Sequence, residues 1–397
     1  MIDADIRRRA PKRGRYLFRH PALRTVIGGL DAVLETLHRP SPEPLDIRPG
    51  KILVCNQAHI GDAILATSVL PVLRAAFPEA RIGFLVHPGS AEVLADHPDI
   101  AWAHCFSHWR LDRQESALWR KLARDGRSRY AAIRDIRAIG YDLALDLYPY
   151  FPNSIPLLFA AGIPLRLGWT SGGCGGLLTH ALDWSHGPDH VVDHHRRLLG
   201  QLTACREHLP LARPRLHASE TLRRRWRELA AARGIPAGFI AFHVGAGGVH
   251  RHWPDGHWRE LAALCLERGL SLVLLGHGLR EQAVCRAIAG LSGTIHDLSG
   301  QLDWRLMTEA IAQARLLVGL ESASGHIAAA RAVPAVSIYS GTTQTSIWRP
   351  YHPAAKTLVH PVPCSPCHLS GGCPGMECVQ GTTSEAVFAE IVRVLDA

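Results

Sequence analysis

Short apolar runs alternate with stretches of helical spacing along nearly the whole chain, and this alternation limits the fold more than any other feature. In the first half the strand-like runs are KILVC (51–55), RIGFLV (81–86) and YDLALDL (141–147). In the second half they are FIAFHVG (239–245), LSLVLLG (270–276), RLLVGL (315–320) and AVSIYSG (335–341). Helical spacing fills 255–268, 279–291 and 304–314 between them. Strands separated by helices of this length build parallel sheets covered on both faces, so the predicted class is α/β. The proline-punctuated stretch LPLARPRLHASE (209–220) marks a change of half. The expected layout is a basic extension (1–48), an N-terminal doubly wound domain (49–212) and a C-terminal one (213–397). Two such domains facing one another enclose a cleft, and open parallel sheets bind ligands beyond the carboxyl ends of their strands. The loops just after strands are therefore where function should lie.

Bulk properties agree with a globular chain. Its 397 residues suffice for two domains of ~100–200 residues each. No apolar stretch reaches the ~18 residues of a membrane span; the most apolar region, PYFPNSIPLLFAAGIP, is cut by prolines. The N-terminus is basic without the apolar core of a signal peptide, so a cytoplasmic location is expected. Net charge is +9, yet only four of the 44 basic residues are lysines. The excess concentrates in RRRAPKRGRYLFRH (7–20), where Tyr16, Leu17 and Phe18 mix with arginines. Such a segment suits an anionic membrane surface, which would make the protein peripheral, and equally suits a solvated tail. RNA-binding motifs, zinc-finger spacings and repeated aromatic platforms are absent, so no nucleic-acid partner is expected.

The first loop is NQAHIGDAIL, after KILVC. Asp62 stands at the start of a helix, where an acidic residue caps the backbone or, raised in pKa by burial, acts as a base. Asn56, Gln57 and His59 line the same turn and Gly61 leaves room for a ligand. Pro71 should split or kink the following helix near Leu70. In the second loop, HVGAGGVHRHWPDGHW, Gly245, Gly247 and Gly248 free the backbone to point N–H groups at an anion, and Arg251 adds a bidentate phosphate donor. It lacks the Gly-Lys-Ser/Thr ending of a P-loop. The third, VGLESASGHIAAARAVP, sets Glu321, Ser322, Ala323 and Ser324 at the start of an Ala-rich helix with His326, so its amides suit a diphosphate. First-turn capping and a core histidine explain the same residues. In LLGHGLREQ, Glu281 can accept from ribose hydroxyls or stand solvated.

Together, NQAHIGDAILATSVLPVLRAAFPEARIGFLV, HVGAGGVHRHWPDGHW and VGLESASGHIAAARAVPAVSIYSGT resemble, in order and spacing, glycosyltransferase family 9, the heptosyltransferases of lipopolysaccharide core assembly. The resemblance runs from about residue 51 to the C-terminus. It implies a GT-B fold of two Rossmann-like domains, acceptor side first, and an inverting transfer that requires no metal or other cofactor. It implies a nucleotide-diphospho-sugar donor and a lipid-linked or oligosaccharide acceptor. On that resemblance Asp62 is the catalytic base; Asn56, Gln57, His59 and Gly61 beside it are then expected to wall the acceptor pocket. Gly245, Gly247 and Arg251 meet the donor's phosphates, Glu281 its ribose, and Glu321, Ser322, Ala323, Ser324 and His326 form the donor loop. Glu321 replaces the family's usual Asp and Ala323 its usual Gly, so the sugar can differ from heptose. A non-catalytic nucleotide-sugar-binding protein is the alternative from another class.

Ten cysteines are many for a chain in a reducing compartment. Cys364, Cys367, Cys373 and Cys378 cluster with the spacing C-x2-C-x5-C-x4-C, which fits a structural tetrahedral zinc, an iron–sulfur cluster, or four reduced thiols in an ordered loop.

Overall fold

The computed structural model describes residues 15–18, 20–111, 116–369 and 371–396. Residues 7–14 and 19 of the basic tail lie outside the described residues. Two compact units divide between Pro214 and Arg215, inside the proline-punctuated link.

The first unit holds a six-stranded parallel sheet in the order β3-β2-β1-β4-β5-β6. Its strands are β1 (Lys51–Asn56), β2 (Arg81–Val86), β3 (Ile100–Cys105), β4 (Leu143–Asp146), β5 (Leu165–Trp169) and β6 (His180–Leu182). The central pair is buried on both faces: Ile52, Leu53, Val54, Leu143, Ala144 and Leu145 are all 0% exposed. Each large aliphatic removed from water in this way contributes about 1.5–3 kcal/mol, and the run of them explains why these strands read as continuous apolar stretches. Gly83 of β2 lies directly under the Tyr141 phenol, and any side chain there would collide with that ring. After β1 the helix Ile60–Ala66 gives way to a 3-10 turn at Thr67–Val69 and resumes as Leu70–Ala76. Pro71 sits in the first turn of the second piece, where its missing N–H costs no hydrogen bond.

Residues 15–18 and 20–48 pack onto this same unit. The helix Pro21–Leu37 buries Ile27 and Asp31, and the Tyr16 hydroxyl donates to Asp31 Oδ2 at 2.7 Å. Arg15 pairs with Glu35, and Leu45 bridges to Leu202. Burial pushes the Asp31 carboxyl up, with Tyr16 and Arg15 pulling it down.

The second unit repeats the plan: β12-β11-β10-β7-β8-β9, all parallel. Its strands are β7 (Ile240–His243), β8 (Leu272–Leu275), β9 (Ile295–Asp297), β10 (Leu316–Leu320), β11 (Ala335–Ile338) and β12 (Ala355–Leu358). Counted within each unit, both sheets have the order 3-2-1-4-5-6. Each therefore reverses direction between its first and fourth strands, and loops leaving those two strands diverge to leave a crevice. The core under the second sheet is built on Phe242, Trp253 and Trp258. The Trp253 indole N–H donates to the Thr382 carbonyl at 2.7 Å, which ties the C-terminal segment to the body of the unit. Among the described residues no helix is long and apolar enough to cross a membrane.

Candidate active site

In the first unit the reversal falls between β1 and β4. The β1 loop is held by its own polar side chains. Asn56 Nδ2 donates to the Asp62 carbonyl at 3.2 Å, and Asn56 Oδ1 accepts from Ala58 N at 3.2 Å. Gln57 Nε2 donates to the Pro152 carbonyl at 3.0 Å, joining this loop to the one after β4. Asn56 and Gln57 are buried, so both shape the turn from within. Of the expected pocket wall, His59 is exposed and Gly61 half-buried. Asp62 Oδ2 accepts from the backbone N–H of His59 at 3.2 Å, so the carboxylate does cap the helix. It is half-buried. Capping and base chemistry are compatible, because a carboxylate has about four acceptor sites and the cap fixes its position.

Across the reversal, β4 ends in Asp146, a carboxyl that is 1% exposed. It accepts from Tyr148 N at 3.2 Å and Ser154 N at 2.9 Å. Burial raises it to about 7 despite those bonds. The strand pattern YDLALDL hid this residue. An acidic residue closing an otherwise apolar parallel strand was the signal that could have found it.

In the second unit the reversal falls between β7 and β10, and the expected donor residues converge there. Gly245 follows β7. A Cβ on it would lie 2.5 Å from both carboxylate oxygens of Glu281, so glycine is what lets Glu281 lie against this loop. Glu281 Oε2 accepts from His277 N at 2.6 Å, and burial raises its pKa. Farther along the loop, Arg251 Nη1 lies 3.5 Å from Glu321 Oε1, which follows β10. Glu321 Oε2 accepts from the Ser340 hydroxyl at 2.7 Å and from Ser340 N at 3.3 Å. Its other oxygen accepts from the Thr343 hydroxyl at 3.4 Å. The extra methylene of Glu over Asp thus reaches the loop after β11. Ser340 and Thr343, which the motifs did not single out, belong to the same cluster.

Ser322 is extended at φ −154° and begins the helix Ala323–Ala330. Ala323 is its first helical residue, a backbone any L-residue adopts, so the missing glycine costs nothing there. Ser322 and Ser324 hydroxyls share a hydrogen bond of 2.8 Å. Ser324 and His326 are buried on this helix. His243, at the end of β7, is buried and its pKa is lowered by burial to about 4, so it is neutral.

The cysteine segment packs beside this cluster. Cys367 N donates to the Gly341 carbonyl at 3.1 Å and His368 N to that of Thr342 at 2.8 Å. A Cβ on Gly372 would lie 2.5 Å from the Cβ of His250. All four cysteines are free thiols, and burial pushes Cys364 and Cys378 up. Among the described residues no three His, Cys, Asp or Glu side chains are grouped to hold a metal ion.

A family model, glycosyltransferase family 9 (heptosyltransferase), matches residues 129–372. That is more than half of the chain. The chain belongs to glycosyltransferase family 9. Among similar proteins, lipopolysaccharide heptosyltransferase 1 of Pseudomonas aeruginosa is 27% identical over 80% of this chain and 86% of its own length. Lipopolysaccharide heptosyltransferase 2 of Salmonella typhimurium is 28% identical over 73% and 82%. Among solved structures, the E. coli ADP-heptose lipopolysaccharide heptosyltransferase II superposes with a TM-score of 0.67 at 22% identity, covering 87% of this chain and 98% of that one. A family 9 glycosyltransferase from Veillonella parvula gives 0.71 at 17% identity, covering 89% and 99%. The family 9 chain is thus a glycosyltransferase with an α/β GT-B-like fold built on its two parallel sheets.

Proposed function

We propose that this chain transfers a heptose-type sugar from a nucleoside-diphosphate donor, ADP-heptose by analogy with its relatives, to a lipopolysaccharide-type acceptor, with inversion and without a metal. The observation that carries the reading is the convergence of Gly245, Arg251, Glu281 and Glu321 at one strand reversal of the second unit. Asp62 takes the proton from an acceptor hydroxyl as that oxygen attacks the anomeric carbon. The carbon's bond to the diphosphate oxygen breaks on the opposite face, and the electron pair leaves with the nucleoside diphosphate. Arg251, with the amides that open the helix Ala323–Ala330, stabilises the charge gained there. Glu281 binds the ribose hydroxyls. Metal independence is supported by the donor set: Glu281 is engaged by His277 and Glu321 by Ser340 and Arg251, while Arg251 supplies positive charge. An enzyme with these substrates works on the cytoplasmic side, at the membrane that carries its acceptor.

The test is transfer in the presence of EDTA from ADP-heptose, ADP-glucose and UDP-N-acetylglucosamine to a heptose-deficient lipopolysaccharide core, with the new linkage read by NMR. ADP-heptose should be used best, with an anomeric configuration opposite to the donor's. Preference for another donor would assign the Glu321 and Ala323 exchanges to sugar choice. Retained configuration or loss of activity in EDTA would overturn the mechanism.

A further inference from the structure

The first unit carries a helix that its core leaves largely open. Leu118–Ile139 buries only Asp125, Ala132 and Ile136 along its 22 residues, about 33 Å of helix at 1.5 Å per residue. At about 100° per residue, two rows run along its outer side. One row carries Trp119, Gly126, Tyr130 and Arg137; the other carries Arg120, Arg127 and Arg134, all seven residues exposed. Trp119 is 66% and Tyr130 72% exposed, which is unusual for rings of that size, and Leu118 and Leu122 stand out beside Trp119 at 58% and 47%. The Arg120 guanidinium lies 5.1 Å from the Trp119 ring centre. Among the described residues Arg127 donates only to the Ala123 carbonyl of its own helix, at 3.3 Å. One acidic residue, Asp135, shares this side, and it pairs with Arg134.

We propose that this face is a docking surface for an anionic bilayer. Four arginines against one aspartate give the charge complementarity. Exposed Trp and Tyr rings favour the headgroup boundary, where one edge of the ring is apolar and the other wet. Leu122, one turn on from Trp119, widens the apolar edge of the face toward the acyl region, a contact that bases and phosphates of a nucleic acid do not offer. Arginine stems lie along the surface while their heads stay at phosphate level. The neutral exposed stripe on Pro21–Leu37 lacks this pairing of rings with cations. The inference rests on this surface and does not depend on which sugar is transferred.

Sedimentation of the full-length chain with vesicles tests it. The chain should sediment with phosphatidylcholine vesicles containing phosphatidylglycerol, not with phosphatidylcholine alone, and high salt should release it. Replacing Arg120, Arg127 and Arg134 by Ser should lower the partition coefficient about fivefold per arginine, on the order of a hundredfold together. Trp119→Ser should weaken it several-fold, and a chain lacking residues 1–14 should still bind. The thermal midpoint, and transfer to a soluble delipidated acceptor, should not change in the triple variant. The proposal fails if the triple variant binds like the parent, if deletion of residues 1–14 alone abolishes binding, or if soluble-acceptor transfer falls with the arginines. It fails equally if an oligonucleotide outcompetes the vesicles through the same arginines.

Discussion

The two sheets share one strand order and reverse at the same place, yet the loops at the two reversals are built in opposite ways. In the first unit, buried Asn56 and Gln57 bond to backbone carbonyls, and buried Asp146 gathers backbone N–H groups. That loop is a frame holding one carboxylate, Asp62, at a helix start. In the second unit the loop is rich in glycine and its charged groups pair with each other across strands, Arg251 with Glu321. In the proposed reaction the first loop would hold a proton acceptor in place, and the second would meet the donor's phosphates with an arginine and open backbone. The two units share a topology, and the residues just beyond the strands at each reversal are of different kinds.

The comparison breaks first if Asp62 is only a cap. Asp62→Asn should keep nucleotide binding and lower kcat by about 10²–10⁴, measured by transfer and by calorimetry with ADP; near-parental turnover would leave the first loop purely structural. Arg251→Met should lower kcat by about 10²–10³, and Arg251→Lys should recover part of it by restoring charge without the bidentate fork. Gly245→Ala drives a methyl into the Glu281 carboxylate, so it should weaken ADP binding and cost about 1–3 kcal/mol in denaturant unfolding. The double change with Glu281→Ala should recover the stability but not the binding.

The frame itself is tested through Asp146. Its carboxyl titrates near 7 in the folded chain, against ~3.9 when unfolded. Between those values the folded state binds the extra proton, so this group's contribution falls as pH rises from about 4 to about 7. Asp146→Asn should remove that part of the slope in a plot of thermal midpoint against pH. It should lower the midpoint most in acid, because the amide cannot accept from both Tyr148 and Ser154, and by less above about pH 7, where the change also removes an ionised carboxylate held out of water. The smallest effect is expected in the cysteine segment. Purified under reducing conditions, it should show free thiols at Cys364 and Cys373 and no stoichiometric zinc or iron by elemental analysis. One metal per chain would show that the four thiolates close around an ion.

The central strands were legible because each is buried on both faces and reads as an unbroken apolar run. β2 matches its predicted bounds residue for residue. The edge strands were not: β3 buries only His104 and is otherwise half-buried or exposed, and β6 and β9 have three residues each, too short for any period to show. The split at Pro71 followed from ring geometry alone. Glu281 was singled out from its place after a strand, but its contact with Gly245 depends on how β7 and β8 bring the two loops side by side. Ser340 and Thr343 escaped notice for a related reason. Hydroxyls after a strand are common, and only the length of Glu321 gives these two a partner.

The contact between Gly245 and Glu281 also restricts the order in which this chain can change. While residue 281 keeps its carboxylate in this place, a side chain at position 245 must push it aside and away from the His277 N–H. Once residue 281 is shortened, position 245 accepts alanine or serine without that displacement, and an acid regained at 281 then has to point elsewhere. A saturation library of both positions should therefore show the two coupled: single changes at 245 tolerated less well beside Glu281 than behind a small residue at 281.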